Sequence, residues 1–258
     1  MNNALSEGVA VIRANLGPLT VAAGLLLLAD VHRFATYDPA VPGLTWGGVL
    51  RMSLVILSGG LATLVGCWAV FTGGRAGGFQ ALLAFPAARL LPFAGFAMLF
   101  YLWFFALSAM LVKLGAAIVG ADAGLGGILI LAAIHTAILI FMYLQLGFVF
   151  PDVAISGESG IILAMALGFA SARKILAAIW PTALILTLPQ AALAWVIFDA
   201  AALARLAETF PAIGVMDWVA AALLAAMSIA ATVIYAAAMT RIFIDISPAG
   251  RFQSAMWN

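Results

Sequence analysis

The sequence predicts an all-α integral membrane protein with six transmembrane helices. They form three hairpins, each preceded by a short interfacial amphipathic helix. Three observations predict this. Of the 258 residues, 66% are hydrophobic and 8% are charged, where a soluble domain carries about 25% charged residues. So little polar surface is compatible with lipid as the solvent. Six stretches hold close to the roughly 20 apolar residues that a span requires. Finally, an arginine recurs ahead of alternate spans, each time after a short segment with helical spacing.

The elements follow in order. Leu5, Val9, Ile12 and Leu16 step by 4, 3 and 4, one face of a helix suited to the membrane interface. The first span covers about 16–34, and Asp30, His32 and Arg33 place its end at the headgroups. A connection with Pro39, Pro42 and Gly43 leads to the second span, about 49–71. After the glycine-rich turn from Thr72 to Gly78, Phe79, Leu82, Leu83, Pro86 and Leu90 form a proline-broken interfacial segment. The third span, about 91–118, is bulky, with Phe96, Phe100, Tyr101, Trp103, Phe104 and Phe105. Gly120, Asp122, Gly124, Gly126 and Gly127 mark a short turn before the fourth span, about 125–150. A connection starting at Pro151-Asp152 contains Glu158 and Ser159, the latter placed to cap the next helix. Ile162, Met165 and Phe169 step by 3 and 4 in a third interfacial helix. The fifth span, about 175–198, contains Pro181, Thr182, Thr187, Pro189 and Gln190. A connection with Arg205, Glu208 and Pro211 leads to the alanine-rich last span, about 215–240.

The arginines Arg13, Arg89 and Arg173 lie 76 and 84 residues apart and divide the single membrane domain, 1–258, into units of 1–75, 76–152 and 153–247. With two spans each, all three units face the same way, unlike inverted repeats. The plainer reading is that apolar sequence self-aligns and that an arginine before a span obeys the positive-inside rule. That rule puts both termini in the cytoplasm of a bacterial inner membrane. Arg13, Arg75, Arg89, Arg173, Lys174, Arg241 and Arg251 are then inside, and Arg33, Arg51, Lys113 and Arg205 outside or near it. Trp46, Trp195 and Trp218 fall at the outer boundary, where indole partitions.

A net charge of +1 gives no field for nucleic acid. Cys67 is the only cysteine, so no internal disulfide forms, and its apolar setting suits a buried thiol. Glu7 and the lack of a small-residue cleavage site argue against a cleaved leader at the N-terminus. No catalytic, metal or dinucleotide signature is present, so no cofactor is expected and the chain reads as non-enzymatic.

Polar groups within spans are costly and therefore candidates for function. Lys113 either snorkels to the headgroups or pairs with Asp199, Asp217 or Asp30. His135 fits a hydrogen bond between helices. Pro181 and Pro189 kink the fifth span, and their freed carbonyls are either satisfied by the threonines or line a cavity. His135, Gln145, Thr187 and Gln190 would then line a path for a lipid-like or small apolar substrate. The last span offers a small-residue surface from Ala220 to Ala238 for its own helices or a partner's.

From Phe148 to Leu184 the chain shows a span closed by Phe150-Pro151-Asp152 and a loop with Glu158. A small-residue helix, Ala164 to Ala172, then leads through Arg173 to a new span. This resembles the uncharacterised bacterial six-span families related to the membrane domain of some glycerophosphodiester phosphodiesterases. The resemblance covers about 40 residues in motif and the whole chain in layout. It implies a fold and topology and carries over no functional residue or hydrolytic activity. The leading expectation is a non-enzymatic accessory, scaffold or assembly component that acts through helix packing, in contact with membrane lipids. The alternative is a transporter or lipid-handling protein.

Overall fold

The computed structural model describes residues 2–36, 46–73, 77–119, 124–156, 161–181, 185 and 215–247. All elements among them are helices. They are α1 (Asn2–Ala14), α2 (Leu16–Thr36), α3 (Trp46–Phe71), α4 (Gly78–Leu83), α5 (Ala87–Val119), α6 (Gly124–Leu146), α7 (Val149–Ser156) and α8 (Ile161–Ala170). α9 (Ala172–Pro181) and α10 (Val215–Ile246) follow. Four helical stretches are long and apolar enough to cross a membrane, or up to six if each bent helix pair counts as one span.

The two bent pairs are α1 with α2, at 93°, and α8 with α9, at 76°. Asn15 sits at the first bend, fully buried. Its Nδ2 donates to the Val11 carbonyl (2.9 Å), and its Oδ1 accepts from the Gly78 N–H (3.1 Å). One side chain thus satisfies a carbonyl at the end of α1 and an amide at the start of α4, groups that helix termini leave open. Ser171 occupies the second bend, and its carbonyl accepts from the amides of Lys174 and Ile175. Arg13 precedes its bend by two residues, whereas Arg173 follows its bend by two. The arginines therefore flank these bends at different offsets.

α3 is the central helix and packs on α2, α5, α7 and α10. Ser58 donates to the Ala22 carbonyl (2.7 Å), while Val55 and Leu26 share a cavity wall, so α2 and α3 run antiparallel. The α3–α10 contact runs parallel. Ser58 and Gly59 meet Ser228–Thr232 around that cavity, and a Cβ at Gly66 would lie 2.7 Å from that of Ala236. Only a small residue allows so close an approach. Phe93 stacks against Phe150, and Phe100 against both Phe150 and Tyr143, so α5 runs antiparallel to α6–α7.

One correction to the sequence reading arises here. The segment from Pro151 to Ser156, expected as a connection, is helical. Pro151 falls in the first turn of α7, where its missing N–H would have no partner in any case. The turn after α3 agrees with its glycines: Gly73 (φ 62°) and Gly78 (φ 65°) adopt the left-handed conformation that favours glycine. Ser159, expected as a cap, lies outside the described residues.

Candidate functional site

The alanine-rich last span is committed largely to its own fold. Ala221, Ala225, Ala231, Ala236, Ala237 and Ala238 are buried, and α10 packs on α1, α2, α3 and α7. Close packing of this kind leaves a void where larger, polar side chains interrupt the small ones.

That void is a partly open cavity of about 230 Å³ between α2, α3, α5, α6 and α10. It lies at the level of Ser58 and Gly59, halfway along α3. Its walls combine apolar residues (Leu26, Val55, Phe100, Phe104, Phe105, Ile229) with seven hydroxyl-bearing ones. These are Ser58, Tyr101, Thr136, Tyr143, Ser228, Thr232 and Tyr235. No charged side chain lines it among the described residues.

Several hydroxyl protons are already placed. Ser58 donates to the Ala22 carbonyl, Thr232 to the Ser228 carbonyl (2.9 Å) and Thr63 to the Gly59 carbonyl (2.8 Å). Tyr101 Oη lies 3.3 Å from Thr63 Oγ1. Because the Thr63 proton goes to Gly59, Tyr101 is the donor of that pair. Its ring and hydroxyl occupy the space where a Cβ on Gly59 would stand. Hydroxyls that donate to their own helix keep oxygen lone pairs as acceptors. The cavity is therefore largely apolar, with hydroxyl acceptors in its wall and no charged side chain among the described residues. An ion would be expensive there without a counter-charge, whereas a neutral molecule with a hydroxyl would find partners.

The residues expected to carry function are placed differently. Lys113 belongs to α5, His135 to α6 and Asp217 to α10, but their side chains lie outside the described part, as do Asp199, Thr187, Gln190 and Pro189. Asp30 is half-buried on α2. Gln145 is half-buried on α6 and is not in the cavity lining. Pro181 lines a separate groove between α1 and α9. Among the described residues, no group of three or more His, Cys, Asp or Glu could hold a metal ion.

The hydroxyl lining escaped the sequence reading, although a signal existed. Ser228, Thr232 and Tyr235 step by 4 and 3, and Thr136 and Tyr143 lie seven apart. Both spacings put polar groups on one face of an apolar helix.

Comparison with family models, with curated proteins and with solved structures gives no match.

Proposed function

We propose that this chain is a multi-pass protein of a bacterial inner membrane that holds a small neutral amphipathic molecule inside its helix bundle. The single observation behind this reading is the hydroxyl-lined cavity halfway along α3. Its apolar walls match a hydrocarbon portion, and its hydroxyls match one alcohol or carbonyl group. The protein acts by holding and handing over rather than by transforming its ligand. The finer topology belongs to the same proposal: six spans in three hairpins with both termini in the cytoplasm. The antiparallel contacts of α2 with α3 and of α5 with α6–α7 support it, as do the bends ahead of α2 and α9. The relation to the six-span families, proposed on the motif around α7 and α8, is compatible with that layout.

A second reading is favoured by a different observation. Only 17% of the Ala87–Leu107 window is buried, against 61% for α3. Leu91, Met98, Leu99 and Trp103 are exposed along it. An accessory subunit would cover that face with a partner's helix rather than lipid.

Gentle extraction followed by mass spectrometry of co-purifying molecules separates the two. A stoichiometric small neutral amphiphile, such as a medium-chain alcohol, supports the holding reading. A stoichiometric membrane protein, lost on Leu99→Asn with Trp103→Ser, supports the accessory reading. Recovery with neither overturns both.

A further inference from the structure

A second site lies away from the bundle cavity, at the end of the molecule that carries Arg13, Lys174 and Arg241. There α1 crosses α10, with Gly8 so close to Ile234 that a Cβ would meet its side chain at 2.7 Å. Beside this crossing, α9 leaves a groove of about 840 Å³. Its floor is small and apolar, with Ala10, Ala177 and Ala178. The same three alanines, or their neighbours, continue into an adjoining groove of about 910 Å³ that runs past Arg13 to Pro181 and Ile185.

The rim of the first groove is charged and balanced. Lys174 and Arg241 supply two cations, and Glu7 and Asp245 two carboxylates. Arg241 and Asp245 approach to 4.0 Å across one helical turn, with both side chains 59% exposed. Such an exposed pair is weak and exchanges partners at little cost. Lys174 lies three residues past the bend between α8 and α9. Arg241 lies in the last two turns of α10, and α1 is bent 93° from α2. The charges therefore gather at one end of the bundle, the end that the proposed topology sets at the cytoplasmic headgroups, while the alanine floor continues beside α9.

We infer that this groove binds one phospholipid whose headgroup carries both a phosphate and a primary ammonium. The phosphate sits between Lys174 and Arg241, the ammonium between Glu7 and Asp245, and an acyl chain follows Ala177 and Ala178 towards Pro181. Two cations and two carboxylates on one rim complement a zwitterion better than an anion. The carboxylates also select a primary ammonium over a quaternary one, because only the former donates hydrogen bonds. Basic pockets at the membrane interface bind lipid phosphate by the same chemistry. The inference does not depend on what fills the bundle cavity.

The test is titration of the purified full chain, delipidated in detergent, with dioleoyl phosphatidylethanolamine, phosphatidylcholine or phosphatidylglycerol, counting bound lipids by native mass spectrometry. The wild type is expected to bind one phosphatidylethanolamine about tenfold more tightly than phosphatidylcholine, the factor one charge-assisted hydrogen bond is worth. Glu7→Gln should abolish that preference, and Lys174→Gln should weaken both lipids while Lys174→Arg restores them. Ser228→Trp, which fills the bundle cavity, should leave all of this unchanged. Equal affinity for the three lipids, a preference for phosphatidylglycerol, or indifference to Glu7→Gln and Lys174→Gln would each overturn the inference. Circular dichroism and a monodisperse elution profile show that each variant is folded.

Discussion

Tyr101 illustrates how one residue sets the character of the site. Its ring fills the space left by Gly59, and its hydroxyl donates to Thr63 beside the cavity. Tyr101→Phe removes one part-buried hydrogen bond and should cost about 1 kcal/mol. Gly59→Ala must displace the ring and should cost about 1–3 kcal/mol. The detergent-solubilised protein is therefore expected to melt lowest for Gly59→Ala, then Tyr101→Phe, then wild type. The reverse order for the two variants would mean that Tyr101 is held by something other than this packing.

Glu7 is the residue with a pH consequence. Burial where α1 meets α10 raises its carboxyl above the ordinary 4.5; Arg241 opposes the rise and Asp245 adds to it. A carboxyl raised in the folded state binds its proton more tightly there than when unfolded. Its stabilising contribution is complete below 4.5 and is lost as pH rises through the folded value. Wild-type melting temperature should thus fall more than that of Glu7→Gln as pH rises from 4.5 to neutrality. Identical pH profiles would show that the carboxyl is solvated.

Among elements, the bends matter most, because they turn the chain by 93° between α1 and α2 and by 76° between α8 and α9. At the first bend Asn15 makes both hydrogen bonds described above. Asn15→Ala leaves the Val11 carbonyl and the Gly78 amide without those partners. It should cost about 1–3 kcal/mol and speed hydrogen exchange in α4. Arg89 ties the start of α5 to the end of α7 through the Ala154 carbonyl (2.9 Å), a contact no sequence pattern announces. Elements such as these show what was legible in the sequence. Long apolar runs gave α2, α3, α5, α6 and α10, and the 4-3-4 spacing of Leu5, Val9, Ile12 and Leu16 gave α1. Pro151 misled, because a proline is as compatible with a first helical turn as with a loop. The cavity stayed hidden for a physical reason: a hydroxyl that donates to its own helix is inexpensive in a span, so Thr232, bonded to the Ser228 carbonyl, looks like a packing residue.

At the scale of the whole molecule, the proposed topology is open to labelling. Cys67 is fully buried, so introduced cysteines at exposed positions can be read against a quiet background. A membrane-impermeant thiol reagent applied to right-side-out vesicles should label Gly48→Cys, at the outer end of α3, and spare Ala84→Cys, between α4 and α5. Labelling of both from the same side would break the assignment of α3 as a span. Parallel packing of α3 on α10 also requires the N-terminal ends of both helices to lie on one side. Trp46 and Trp218, near those two ends, are both exposed, as an interfacial belt requires.

Photo-crosslinking addresses the occupant of the bundle directly. The full chain is reconstituted with a medium-chain alcohol bearing a diazirine at mid-chain, illuminated, digested and mapped by mass spectrometry. Adducts are expected on cavity residues of α3, α5 and α10, among them Tyr101 and Tyr235, and they should disappear on Ser228→Trp while the protein stays folded. Adducts confined to the exposed face of α5, at Leu91, Met98 or Trp103, and unchanged by Ser228→Trp, would contradict the proposal that this bundle holds a ligand.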